Sequence, residues 1–458
     1  MVKSRIMRIS TLALCLALSM AAVPTVSAQT FSVPVVYKKL PNGLRVVISE
    51  NHAAPVVVVE VMYRIGFRIE PKGRTGFAHL FEHMMFQGSE HVPKFEHVKI
   101  VNENGGTLNG STRFDHTNYF ELMPSNALEL AMWLEADRMR SLKITPETLK
   151  NQQDVVSEEV RVNVLNQPYG AFEWLGLPQK ANTNWYNAHN FYGDLAELEA
   201  ANLDDVKKFF DTYYAPNNAV LVVSGDTTPD EVMKLAEKHF GAIPSRALPP
   251  RPDISEPPQT AEKSFTESDK LARTPAVAFG YHLPERMTKD FFALSLLDPL
   301  LVSDESAKLY QALIKENQVA SDVSGGFNLL GNNFDYNGPM LYTFRVDYRP
   351  DLKSADVLKV VDKVISAVQE HGITEDELKQ AKVNFRSSFL ENLESQGGFG
   401  RADLLAALAL YDDNPSRINT ILSDLDKITT SDVQQAAKKY LVPANRTIID
   451  RRPEGGGK

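Results

Sequence analysis

The stretch DVKKFFDTYYAPNN, residues 205–218, returns as DVQQAAKKYLVPAN at residues 432–445. Asp205, Val206, Tyr213, Pro216 and Asn218 recur as Asp432, Val433, Tyr440, Pro443 and Asn445, all displaced by 227 residues. In both places a helical pattern runs into Tyr-x-x-Pro-x-Asn and then an apolar strand, Ala219-Val-Leu-Val-Val in one and Arg446-Thr-Ile-Ile in the other. A fixed displacement on either side of a linker reads as an internal duplication. That linker is RALPPRPDISEPPQTAEK, residues 246–263. Its five prolines and lack of apolar periodicity describe an exposed, semi-rigid spacer.

The pattern extends outward from the repeat. Val35 to Ile48 alternates around Pro41-Asn42-Gly43, a hairpin signal, and Pro55 to Tyr63 is a Val-rich strand. Gly76 to Phe86, Asn126 to Met139 and Glu147 to Leu165 have helical spacing. In the second half, Ala276 to Tyr281 and Met340 to Tyr348 read as strands, and Phe291 to Leu313 and Ser354 to Glu370 as helices. Hairpins mixed with helices, without strict alternation, predict an α+β fold: two homologous α/β sandwich domains with largely antiparallel sheets. The 458 residues then divide into a signal segment (1–28), a first domain (29–245), the linker (246–263), a second domain (264–450) and a flexible tail (451–458).

Lys3, Arg5 and Arg8 precede an almost continuously apolar run from Thr11 to Val23, and Val26-Ser27-Ala28 is a small-x-small cleavage pattern. Together they predict a secretory signal peptide. The run is shorter than the ~20 residues a spanning helix needs. A mitochondrial presequence would be amphipathic, and this run is apolar all round. A lipid anchor on Cys15 is disfavoured by the bulky Leu14 before it. Cleavage after Ala28 removes three positive charges and no negative one, so the net charge of −9 becomes −12, and the one cysteine leaves too. A mature chain without cysteine suits an oxidising compartment such as a periplasm. No later segment offers eighteen apolar residues, so no membrane span is expected after cleavage. The acidic balance leaves no basic stripe for phosphates and argues against nucleic-acid binding.

The chemistry concentrates in His79-Leu-Phe-Glu82-His83. Histidines four apart share one helix face, and two imidazoles at that spacing can hold one Zn2+. Glu82 lies beside such a metal without having to ligate it, which suits a general base for water. The other residues of this helix, Phe77, Leu80, Phe81, Met84 and Phe86, are apolar. Burying three ionisable groups among them without a metal or partners would cost several kcal/mol. Catalytic zinc usually takes three protein ligands, so a third must come from elsewhere.

The run from Gly73 through Gly76, His79, Glu82 and His83 to Gly88 resembles the zinc helix of the pitrilysin/insulinase peptidase family, whose signature is this inverted motif. The closer likeness is to its mitochondrial-processing-peptidase-like branch, and it covers nearly the whole mature chain. The resemblance implies one Zn2+ per chain and a distal glutamate as third ligand. That place falls on Glu159 in Val155-Val-Ser-Glu158-Glu159-Val-Arg161. Glu158 is a rival, because adjacent helical residues point about 100° apart and periodicity does not choose between them. The resemblance also implies an edge strand beside the zinc at Leu108, Asn109, Gly110, Ser111 and Thr112, holding an extended peptide by strand addition. Gly110 stands where the family usually has alanine. A departure occurs in the second half. Family members competent on their own, or the partner subunit, carry an Arg and a Tyr seven apart there that contact the scissile carbonyl region, whereas this chain has Ile314 and Ser321, with Lys315 displaced around the helix. The expectation is a periplasmic zinc endopeptidase or oligopeptidase subunit. It would pair as a heterodimer with a homologous zinc-less subunit that supplies those donors. Two rivals stand beside it. One is a non-catalytic assembly subunit that retains a metal, against which the intact Glu82 speaks. The other is a metallohydrolase of non-peptide substrates, against which the edge strand speaks.

Overall fold

The computed structural model describes residues 31–454. The signal segment read at 1–28 and the last four residues lie outside the described residues. Two sheets organise the chain. The first has strand order β1-β2-β6-β3-β5-β4, from β1 (Val36–Lys39), β2 (Arg45–Glu50), β3 (Val56–Tyr63), β4 (Thr107–Thr112), β5 (Thr117–Pro124) and β6 (Ala219–Gly225). The second has order β7-β11-β8-β10-β9, from β7 (Lys263–Asp269), β8 (Ala276–His282), β9 (Ala320–Gly326), β10 (Leu341–Tyr348) and β11 (Arg446–Pro453). Each sheet has one parallel pair, β2 with β6 and β7 with β11, and is otherwise antiparallel. The longer helices are α1 (Phe77–Met84), α2 (Glu96–Glu103), α3 (Leu128–Ser141), α4 (Pro146–Val160), α5 (Leu203–Tyr213), α6 (Pro229–Phe240), α7 (Lys289–Val302), α8 (Ser354–His371), α9 (Glu375–Asp412) and α10 (Thr430–Tyr440).

The repeated residues do the same jobs twice. Asp205 accepts from the Asn202 amide at 3.2 Å and Asp432 from the Thr429 amide at 3.0 Å, each closing a capping box at the start of α5 or α10. Val206 and Val433 are both fully buried. Asn218 Nδ2 donates to the Tyr213 carbonyl at 2.8 Å, and Asn445 Nδ2 to the Tyr440 carbonyl at 2.9 Å. Those bonds fix the corner between helix and strand. Pro216 and Pro443 open the short 3-10 turns there, where a missing N–H costs nothing.

The two halves exchange covering segments. Alternate residues of a strand face opposite ways. On β3, Val57, Val59, Val61 and Tyr63 pack with Phe77, Phe81 and Met132 of the first half's own helices. The other face carries Val58, Glu60 and Met62, and there the end of α9, a second-half helix, lies across β3 and β6. Helix α9 reaches this position through a break at Ser395–Gly398. Beyond the break Phe399 stacks on Phe120, and Arg64 Nη1 donates to the Leu410 carbonyl at 3.0 Å. The second sheet receives the reciprocal cover. Tyr169, Phe172, Leu177 and Ala181 of the first half form a cluster with Ala276, Ala278, Leu341 and Ile449. Gly280 leaves room for Leu177, whose Cδ2 would lie 2.8 Å from a Cβ there.

Three expectations are corrected. The helix read over Phe291 to Leu313 ends at Val302, because Asp304 takes the Ser306 amide and hydroxyl and folds 303–307 into a turn. The tail does not begin at residue 451: β11 runs through Pro453, with Arg451 and Arg452 held by Glu267 and Asp450. The helix expected over Glu147 to Leu165 keeps α geometry to Val160 and then widens into a π-turn over Arg161–Leu165. The linker is exposed but pinned, with Asn184 Nδ2 and Asn187 Nδ2 donating to the carbonyls of Asp253 and Ile254.

Two buried carboxyls, Glu60 and Asp335, and the half-buried Asp403 gather where the first sheet meets α9. Asn118 Nδ2 donates to Glu60 at 2.9 Å and to Asp403 at 3.0 Å, and Asp335 lies close by. Burial pushes all three upward, Asp403 to about 6 and Asp335 to about 8, the Asp335 shift being enlarged by the Asp403 charge. A carboxyl whose proton is held more tightly when folded gives its full stabilisation below its unfolded value, near ~3.9, and loses it as pH rises through the folded value. Urea denaturation across about pH 5 to 9 should therefore show wild type losing stability relative to Asp335→Asn up to about pH 8, with a constant difference beyond. Parallel curves from pH 5 upward would contradict this.

Candidate metal centre

Helix α1 starts at a forced point. Gly76 has φ 84°, a conformation side chains rarely adopt, and a Cβ there would meet the Tyr192 carbonyl at 3.0 Å. The free amides of the first turn are taken by Glu70. Its two oxygens accept from Gly76 N at 2.9 Å and Ala78 N at 2.6 Å, satisfying donors that a helix start leaves open. Glu70 is fully buried, and its carboxylate also suits the positive end of the helix. Phe77, Leu80, Phe81 and Met84 form one apolar face against the sheet, with Phe81 stacked on Phe209 at 4.9 Å. That spacing turns His79, Glu82 and His83 to the other side.

Helix α4 begins at a Thr145 cap with Pro146 in the first turn, and packs along α1. Its last turn places Glu159 Oε1 3.5 Å from His79 Nε2, and Oε2 3.2 Å from His83 Nε2. The two rings are 5.0 Å apart, and ligand atoms of all three residues fall within 4.8 Å of one another. Glu158 turns away, 66% exposed and 3.7 Å from Arg161. The residues fit a zinc ion. Tetrahedral ligands at ~2.0–2.1 Å from a metal stand about 3.4 Å apart, close to the separations here and longer than an ordinary hydrogen bond. The His79 and His83 imidazoles hold the Glu159 carboxyl well below the usual carboxylate range. His79 is buried, while His83 and Glu159 keep side chains 22% and 31% exposed, so the cluster opens on one side.

Glu82 takes no part in that cluster of three. Thr112 Oγ1 donates to Glu82 Oε2 at 2.7 Å. Thr112 ends β4, which among the described residues pairs only with β5 and leaves its outer edge open. Leu108, Asn109, Gly110 and Ser111 extend from Thr112 along that strand. A Cβ on Gly110 would come to 3.0 Å from the Tyr119 ring, so glycine lets Tyr119 sit close while its hydroxyl donates to the Phe81 carbonyl at 3.0 Å. Ile314 is half-buried in the turn Gln311–Glu316, and Ser321 is exposed in β9, an outer strand of the second sheet. Sequence reasoning missed Glu70, Tyr192, Phe67 and Trp174. The Tyr192 and Phe67 rings lie 5.3 and 6.3 Å from His79, and Trp174 lies 5.5 Å from Tyr192. Phe67 and Trp174 lie in short helical turns and Tyr192 in a turn, where no periodicity marks them; only an acid shortly before an apolar helix start could have suggested Glu70 as a cap.

Fold and cluster together define a two-sheet α/β architecture with a candidate metal centre at His79, His83 and Glu159. A crystal structure of a protease from Helicobacter pylori superposes with TM-score 0.85 at 27% identity, covering 92% of this chain and 100% of that one. The periplasmic protease PqqL from Escherichia coli matches with TM-score 0.71 at 18% identity, over 92% of this chain and 48% of that one. The zinc protease PqqE of H. pylori is 29% identical over 421 residues, 90% of this chain and 92% of that protein. Family models for "Insulinase (Peptidase family M16)" and "Peptidase M16 inactive domain" match residues 45–175 and 200–385. The chain belongs to the peptidase M16 (insulinase/pitrilysin) family.

The different orientations of the two adjacent glutamates give a direct check. Metal analysis after dialysis should find Glu158→Ala with wild-type zinc and Glu159→Ala depleted. Equal retention in both would remove Glu159 from the ligand set.

Proposed function

We propose that this chain is an exported, zinc-dependent endopeptidase or oligopeptidase subunit that cleaves extended peptides. The observation that carries the reading is the division of labour on one helix. His79 and His83 face Glu159, while Glu82, between them in sequence, is held apart by Thr112. His79, His83 and Glu159 would hold the metal. Zinc bound there supplies Lewis acidity toward water and toward a substrate carbonyl. Glu82 takes the proton of the attacking water and returns it to the leaving amine. Its bond from Thr112 fixes the carboxylate's orientation while leaving the other oxygen for water. The open edge of β4 accepts the peptide as an added strand, so that the backbone of Leu108 to Thr112 reads the main chain and not the side chains. Buried His79 and the rings of Phe67 and Tyr192 keep one flank of the centre dry.

Ile314 has no donor, and Ser321 is too short to replace a phenol, so the second half supplies no stabiliser for a developing oxyanion at those positions. A homologous zinc-less partner subunit supplies it in this reading. The periplasmic E. coli protease, of which this chain covers 48%, supports both an exported setting and the pairing of two such units. Among the described residues no helix is long and apolar enough to cross a membrane.

The test is metal content and oligopeptide hydrolysis of wild type and Glu82→Gln, each with and without the homologous partner. Glu82→Gln should keep its zinc and lose hydrolysis by about 10²–10⁴-fold, the usual worth of a positioned general base. Wild type should need the partner for full activity. Zinc retained with no hydrolysis in any combination would favour an assembly subunit, and full activity of the isolated chain would remove the partner.

A further inference from the structure

The helix that carries Glu159 packs in its own half through Leu149 and Val156, but the chain just beyond it does not. Beyond Val160 the chain continues as a π-turn over Arg161–Leu165, a rare geometry. From Arg161 to Pro168 every residue except Val164 is exposed, including the apolar Val162 and Leu165. Such a stretch has little burial of its own to keep it in place. The next fixed point is Tyr169, and it is fixed by the second half. Tyr169, Gly170 and Ala171 all have positive φ, 67°, 52° and 54°. For Tyr169 and Ala171 this is strained backbone that persists only where the surroundings enforce it.

The surroundings are specific. Asp269 accepts the Tyr169 amide at 2.7 Å, and the Thr274 carbonyl accepts the Tyr169 hydroxyl at 2.7 Å. Arg451 of β11 donates to the Tyr169 carbonyl and lies 4.8 Å over the Phe172 ring. Arg345 of β10 lies 4.5 Å over the Tyr169 ring and 3.7 Å from the Glu173 carboxylate. Both arginines are themselves aimed by acids of the second sheet, Arg345 by Asp347 at 2.9 Å and Arg451 by Glu267 at 2.5 Å. The same segment then places Trp174 against Tyr192, the ring beside His79. The second half thus grips the chain on the far side of Glu159 and leans on the histidine side as well.

We propose that Arg345 and Arg451 are positioning residues of the metal centre: by clamping the Tyr169–Phe172 turn to the second sheet, they hold Glu159 against His79 and His83. The proposal rests on the ligand reading given under Proposed function. The second half, which carries no copy of the His79–His83 motif, then completes the centre mechanically.

The experiment is zinc affinity of the full chain by competition with a chromogenic chelator, with thermal unfolding as a check of fold. The variants are Arg345→Met, Arg451→Met, their double, Arg451→Lys, Glu159→Ala, and Arg349→Met as a control in the Asp351 pair at the end of β10. Each clamp variant should weaken zinc by about tenfold, in the range for residues that orient metal ligands, and the double variant should weaken it further. Arg451→Lys should fall between, because lysine keeps the charge but lacks the planar fork that both donates and stacks. Arg349→Met should be unchanged. If the double variant is unfolded, Arg451→Lys and Tyr169→Phe, which removes only the bond to Thr274, carry the test. Wild-type affinity in folded clamp variants, with Glu159→Ala weakened, would overturn the clamp alone. Undiminished affinity in Glu159→Ala would overturn the ligand reading and the clamp with it.

Discussion

One carboxylate facing two imidazoles sets the requirement that the rest of this molecule meets. Glu159 stands 3.5 and 3.2 Å from the two Nε2 atoms, and it comes from a different helix. An error of about 1 Å at either helix would lose the arrangement, because metal–ligand distances tolerate only about ±0.2 Å. Helix α1 is therefore fixed at its start by Glu70 and at its apolar face by Phe81 and its neighbours. Helix α4 is fixed by its Thr145 cap at one end and by the second sheet beyond the other.

The exchange of covering segments explains why two similar halves make one unit. Neither sheet covers both faces with its own half. The end of α9 covers the first sheet and brings Asp403 against Glu60, while residues 169–181 cover the second and run directly on from Glu159. A duplication that left each half self-contained would leave the chain after Glu159 without contacts to the half that lacks the motif.

Much of this was legible in the sequence, for identifiable reasons. The hairpin at Pro41-Asn42-Gly43 and the valine run of β3 are local signals, and both elements form within two residues of their expected ends. His79, Glu82 and His83 were legible because helical spacing alone puts them on one face. The choice between Glu158 and Glu159 was not, since it depends on how α4 rolls against α1, and only packing fixes that roll. The break after Val302 was missed because apolar spacing on either side bridges the short turn 303–307. The exchanged segments were invisible to periodicity. Ala276, Ala278 and Gly280 look like any strand of small residues until Leu177 is seen to sit on them.

Zinc K-edge absorption on the purified chain tests the proposed centre most directly. Wild type should show two imidazole shells and one carboxylate oxygen at ~2.0–2.2 Å, with the carboxylate contribution lost in Glu159→Ala and the spectrum of Glu82→Gln unchanged in its protein ligands. A spectrum without imidazole scattering, or one that Glu159→Ala leaves as it was, would contradict the ligand set from which the rest of the functional reading follows.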